Sequence, residues 1–313
     1  MNQKLLTFLR SNSGLLILLF VILLLSLLSP HFLSTRNLLT VSLQVSMIAI
    51  AAIGMTFTLI TGGVDLSVGS VAALAGALAA GLSTRNELGT YPAMLLALAA
   101  AAGVGLLNGA MIVWGRIPPF VATLATMAIA RGLTLVYTQA RPISGLDGQF
   151  TFWASDIANF PIPILVLLFV TVGLYILLHR SVFGNDIFAI GGNEETARLA
   201  GISPARVKIG VYTISGLCAG LTGLLLTARL WSAQPNIGVG LELDAIAASV
   251  MGGASLLGGA GSVPGAVIGT FIVGAVANGL NLLEVPSYNQ QVIKGLVFIV
   301  AVILDYVLKR RLK

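Results

Sequence analysis

The sequence predicts an all-α polytopic membrane protein of about ten transmembrane segments, some short or interrupted, with N- and C-termini in the cytoplasm. Three observations carry that expectation. Hydrophobic residues make up 57% of the 313 and charged residues 9%, with a mean hydropathy of +0.99; soluble domains average about 25% charged residues. Apolar runs recur along the whole chain, separated by short polar connections. The basic residues gather at alternate connections, the bias that orients membrane spans. No linker or low-complexity stretch divides the chain, so residues 1–313 are expected to form a single transmembrane domain.

A crossing helix needs about 20 apolar residues. On that template the spans are Leu15–Leu28, Leu38–Ile60, Val68–Leu82, Ala93–Trp114 and Phe120–Tyr137. After a loop at Thr138–Phe160 come Ile162–Leu178, Ile209–Ala228, Leu243–Leu257, Val263–Leu283 and Val292–Val307. Lys4 and Arg10 before Leu15–Leu28 resemble the front of a signal peptide, but the run ends in Ser29-Pro30-His31-Phe32 with no small-x-small cleavage site. It is therefore expected to be a retained first span. With the N-terminus inside, Arg116, Arg180, Arg198, Arg206, Lys208 and the tail Lys309-Arg310-Arg311-Lys313 all lie in the cytoplasm. Arg36, Arg85 and Arg141 fall outside. The formal charge of +6 is thus a topology signal, and no nucleic-acid partner is expected.

The longest stretch unsuited to lipid is His179–Lys208. Within it Asn193–Ala200 reads as one or two helical turns, opened by Gly191-Gly192 and stopped by Gly201, before Ser203-Pro204 restarts the chain. An ordinary solvated connector would also be charged. Small residues Ala197 and Ala200 permit close approach, and Glu194, Glu195 and Arg198 offer rim charges for registry, as a docking helix requires. Glu194 and Arg198 stand at i,i+4 and are placed to pair with each other.

Two junctions interrupt apolar sequence with glycine and polar residues: Thr61–Ser70 (TGGVDLSVGS) and Met251–Ser262 (MGGASLLGGAGS). Both carry a Gly-Gly pair, a weak hint of an internal parallel repeat. Free backbone at membrane depth must be buried in protein or line a wet cavity. Asp65 is the only acid in its apolar stretch, and a charge there costs at least about 2.5–3.5 kcal/mol without a partner. Two readings stay open: a cap on the helix beginning at Leu66-Ser67, or a gate on a translocation path. Glu242 and Asp244 open a span at the outer interface, where Arg131 and Lys294 are placed to snorkel or to pair with them.

Four stretches taken together resemble one family: Gly54–Val71, Ala189–Ile202 (AIGGNEETARLAGI), Glu242–Gly259 and Asn278–Val285. From about Pro30 to Asp305 the chain resembles the membrane-spanning permease subunit of bacterial ATP-binding-cassette sugar importers of the ribose/xylose/arabinose type, which depend on a binding protein. The resemblance implies a pair of permeases (homo- or heterodimeric), two cytoplasmic ATPase subunits below, a periplasmic sugar-binding protein above and a monosaccharide substrate. It also implies that the coupling segment is the loop bearing Gly191, Gly192, Asn193, Glu194, Glu195, Ala197, Arg198, Gly201 and Ile202. Glu284 and Pro286 stand where ribose-type members often carry small or hydroxyl residues, which leaves the sugar open.

Path or gate candidates are Asp65, Ser67, Asn108, Asn278 and Asn281, with Gln234 and Gln290 as further amides. Each amide is equally explained as an interhelical hydrogen bond. No Gly-x-x-x-x-Gly-Lys-Ser/Thr motif occurs. The chain is expected to bind no cofactor, leaving ATP and Mg to the partner ATPase, and no residue cluster argues for catalysis. The one cysteine, Cys218, excludes an internal disulfide. An ion-coupled secondary transporter is the competing class, and an ATP-driven permease for another small polar solute the nearer one.

Overall fold

A computed structural model describes residues 13–299 apart from 87, 158, 159, 287, 294, 297 and 298. It is mostly helical, which agrees with the fold class. Helices α1 (Ser13–Leu28), α2 (Thr35–Ile60), α3 (Val68–Thr84), α4 (Thr90–Val113) and α5 (Pro119–Thr138) come first. A connecting lobe holds β1 (Ile143–Ser144), the short turn α6 (Gly148–Thr151), β2 (Asp156–Ile157) and β3 (Phe160–Pro161). Then follow α7 (Ile162–Arg180), α8 (Val182–Gly192), α9 (Glu194–Leu199), α10 (Pro204–Leu230), β4 (Ser232–Ala233), α11 (Leu241–Met251) and α12 (Val263–Leu282). Six of these, α2, α4, α5, α7, α10 and α12, are long and apolar enough to cross a membrane, and α1 and α3 are shorter apolar helices. The chain is therefore built as a multi-pass membrane protein.

The helix ends follow local chemistry. Proline occupies the first turn of α5, α7, α10 and α12, where a missing N–H costs nothing. Ser34, Ser181 and Ser262 accept the first free N–H groups of α2, α8 and α12 through their hydroxyls. Exposed apolar faces such as Phe169, Leu95 and Val136 suit lipid, not water.

Helix α10 is the central post, packed against α2, α3 and α4. Paired contacts fix the directions. Gly105 meets Tyr212 and Gly109 meets Ile209, so α4 runs antiparallel to α10, with glycines letting the backbones touch. Thr222 Oγ1 donates to the Met47 carbonyl (3.0 Å) while Gly54 meets Ser215 and Cys218, so α2 is antiparallel too. Ser215 bonds Asp65 and Gly223 meets Ala72, so α3 runs parallel to α10. These directions gather the α2–α3 junction, the α4–α5 turn, α8, α9 and the start of α10 at one end, called here the loop end. The opposite end carries the lobe, where β1 pairs antiparallel with β4, Ile143 opposite Ala233.

The structure corrects three expectations. The expected span Leu243–Leu257 is an 11-residue helix ending at Met251, about 16 Å long and too short to cross. Its continuous hydropathy hides the stop at Gly252-Gly253, where the chain turns. Helix α10 begins at Pro204, so Arg206 and Lys208 belong to it. The stretch before Asn193 is not open loop but α8, whose last residues are Gly191 and Gly192. Of Val292–Val307, only part lies within the described residues, and the basic termini and Lys294 lie outside them.

Candidate functional site

At the loop end, α9 is cut to length by its own residues. Asn193 sits in extended backbone and its Oδ1 accepts the Thr196 N–H at 2.8 Å. At the other end Gly201 adopts φ +88°, the left-handed position that closes a helix without a Cβ penalty. Gly201 N–H donates to the Arg198 carbonyl and Ile202 N–H to the Ala197 carbonyl, both at 3.0 Å. Ala197 is buried and Ile202 partly so, tying the turn to the helix bundle. Glu194, Glu195 and Arg198 face outward, and Leu199 is 80% exposed.

The ion pairs differ from the sequence expectation. Arg198 pairs with Glu195 at 2.7 Å, and Glu194 instead takes Lys208 of α10 at 2.7 Å. The reason is reach: α10 starts early enough to bring Lys208 beside Glu194. Beside this pair a groove of about 360 Å³ is lined by Arg116, Ile117, Pro118, Glu194, Pro204 and Lys208, among others. An exposed leucine among charges, next to a largely apolar groove rimmed by Arg116, Glu194 and Lys208, is a surface suited to a protein partner.

Just before α9, Gly191 lies against both helix breaks. A Cβ there would collide with the Ile60 carbonyl and stand 2.6 Å from Gly259 N. Those two groups are themselves bonded, Gly259 N–H donating to Ile60 O at 2.9 Å. The end of α2, the α11–α12 turn and the loop thus meet backbone to backbone. No side chain cushions that contact.

The first break continues inward to Asp65, which is 1% exposed. Asp65 Oδ1 accepts the Ser67 N–H (3.0 Å) and the Ser67 hydroxyl (2.5 Å), and Oδ2 accepts the Ser215 hydroxyl (2.7 Å). Asn108 Nδ2 donates to Ser67 Oγ (3.0 Å), and Thr126 Oγ1 donates to Asn108 Oδ1 (2.6 Å). Every proton in this chain points toward the carboxylate, so α4, α5 and α10 together satisfy a charge that lipid would not. Thr123 Oγ1 also donates to the free carbonyl of Val64 (3.2 Å). Chemically this is a lock on irregular backbone at depth; among the described residues Asp65 has no cation within ion-pair distance.

Asp65, Ser67 and Asn108 are therefore brought together, while Asn278 and Asn281 are not. Asn278 exchanges two 2.9 Å amide bonds with Asn37 of α2, near the opposite end, and Asn281 accepts from Gln290. Arg131 does not snorkel to the surface. Its Nη1 donates to the Pro235 (2.7 Å) and Ile237 (3.0 Å) carbonyls. Sequence reasoning missed Thr126 and Ser215 as partners, and the carbonyls as the partners of Arg131; the signal for the first two was a lone hydroxyl inside an apolar helix.

The family described as branched-chain amino acid transport system / permease component matches residues 37–302. Among curated proteins, a ribose import permease protein of Bacillus subtilis (strain 168) is 46% identical over 93% of this chain and 90% of its own length. Its Escherichia coli (strain K12) namesake is 42% identical over 95% and 94%. A D-allose transport system permease protein of the same E. coli strain is 38% identical over 90% and 87%. No solved structure matches. Matched over most of its length on both counts, the chain belongs to the family of branched-chain amino acid transport system permease components.

Proposed function

We propose that this chain is the membrane-spanning permease subunit of an ATP-binding-cassette importer that carries a monosaccharide, most closely a ribose-like pentose, across the bacterial cytoplasmic membrane. The observation that carries the reading is 46% identity, over nine-tenths of both chains, to a ribose import permease. Allose and arabinose permeases follow at 37–38% identity, one of them named as an ABC transporter permease, so a monosaccharide is favoured over the amino acids of the family's title.

Ten crossings with both termini inside are supported by charge. The loop end carries Arg116, Arg180, Arg198, Arg206 and Lys208, which favours the cytoplasm for it. Counted there, α1–α5, α7, α10 and α12 cross and Ser232–Met251 returns as a turn-rich stretch plus α11; the tenth is the expected span Val292–Val307, most of which lies outside the described residues. The loop Gly191–Ile202 then faces the cytoplasm, where two ATPase subunits carrying ATP and Mg dock against Leu199 and its rim charges. A second permease copy, identical or different, completes the pore, and a periplasmic binding protein delivers sugar. Closure of the ATPase pair pushes α9; Gly191 passes the movement to Ile60 and Gly259, and the breaks open one side as the other closes.

The test is reconstitution with the neighbouring ATPase and binding protein. ATP-driven ribose uptake that needs both partners is expected. Uptake by the chain alone on a proton or sodium gradient would reject the reading in favour of a secondary transporter.

A further inference from the structure

After β4, the stretch Gln234–Gly240 is irregular backbone that runs deep into the bundle. A side chain on Gly69 would strike the Gly238 carbonyl, so those backbones touch. Along α10, Gly69 lies between the levels of Ser215 and Gly223, bracketed by the Asp65–Ser215 bond and the Ala72–Gly223 contact. That is the middle of a 27-residue helix, about 20 Å from either end. Arg131, partly buried on α5, is spent on two carbonyls of this stretch, an arrangement that removes both from contact with lipid.

Its outward side is different. Asn236 is exposed, and among the described residues its amide has no hydrogen-bond partner. Val239 is 73% and Leu243 53% exposed beside it, and Glu242 is only partly covered. Non-helical backbone with a free amide is tolerated at this depth only against protein or water. We propose that the face bearing Asn236, Val239 and Leu243 lines a water-filled cavity at mid-membrane depth, and that the Asn236 amide hydrogen-bonds hydroxyls of the transported solute there. The ligand class, a polyhydroxylated monosaccharide, rests on the function proposed above. An amide is suited to it, offering both donor and acceptor to adjacent hydroxyls.

The experiment uses the complex with its ATPase in proteoliposomes, in a Cys218→Ala background because Cys218 is the native cysteine. Single cysteines replace Asn236, Val239 or Leu243, and, as controls, the exposed mid-helix residues Ile129 and Phe169. A charged methanethiosulfonate reagent should modify the first three at least about tenfold faster, because a charged reagent is excluded from hydrocarbon. Ribose should slow the reaction at position 236, and Asn236→Leu should lower uptake about fivefold, the loss of one hydrogen bond, with ATPase assembly intact. Control-like reactivity in vesicles that transport ribose overturns this inference and leaves the proposed function standing. Oxidative cross-linking of Asn236→Cys between two copies without labelling also overturns it, since the stretch then faces a subunit. Fast labelling that ribose never slows overturns the sugar contact.

Discussion

The two helix breaks solve one problem by different means. The first, Gly62–Ser67, is held by side chains: Ser215, Asn108, Thr126 and Thr123 come from three helices to satisfy Asp65 and the Val64 carbonyl. The second, Gly252–Ser262, is held mainly by backbone. Ala254 N–H reaches the Ser249 carbonyl, Ser255 N–H reaches Ala260, and Gly252 packs on Gly265. The first break is thus rigid in place but replaceable in chemistry at each partner. The second has only two local side-chain bonds, Ser255 Oγ accepting the Leu257 N–H and Ser262 Oγ the Gly265 N–H, and little room where Gly252 meets Gly265. Substitutions should separate them: polar deletion injures the first, added bulk the second.

The largest stability loss is expected for Asp65→Leu. It strands the Ser67 N–H and two buried hydroxyls, at a cost of about 3 kcal/mol. Thermal unfolding of the purified chain in detergent, compared with wild type, is the check; an unchanged midpoint would remove the distinction between the breaks. Next comes Gly252→Ala, whose Cβ meets the Gly265 backbone, which cannot swing aside. Overpacking of that kind costs about 1–3 kcal/mol. By contrast Thr126→Val removes one neutral donor at the far end of the Asp65 chain and should cost about 1 kcal/mol. If Thr126→Val proves as severe as Asp65→Leu, the network acts as one unit and not as separable bonds.

The smallest effect on stability should come from the loop. Glu194→Lys with Arg198→Glu breaks two exposed or half-exposed pairs, worth about 0–1 kcal/mol each. Uptake and ATPase co-purification should nevertheless fall, because the partner reads that charge pattern. Wild-type uptake in this double variant would place docking elsewhere.

How much of this was legible depended on whether the signal was local. The Asn193 cap and the Gly201 stop are chemistry within one turn, and α9 fell where they put it. The long apolar helices were equally plain from hydropathy. Helix α8 was not, since three glycines in Val182–Gly192 argue against a helix that tertiary contacts stabilise. Helix α11 was drawn too long because Leu256 and Leu257 continue its hydropathy past the turn. Arg131 was expected at the interface or on a carboxylate. The Glu242 carboxylate does lie within electrostatic reach of it, but its hydrogen bonds go to backbone carbonyls more than a hundred residues away, for which no residue type gives a sign. Asp65 and Ser67 were found as neighbours in sequence, but Ser215 became their partner only through the direction of α10.

In the proposed function, the loop acts on both breaks through the bare backbone at Gly191. The direct measurement is ATP-driven ribose uptake and ATPase co-purification, recorded together for Gly191→Ala. The ATPase should still co-purify, because Leu199 and the rim charges are untouched, while uptake should fall by about tenfold or more, as a barrier change of about 1.4 kcal/mol would give. Uptake within twofold of wild type would contradict it.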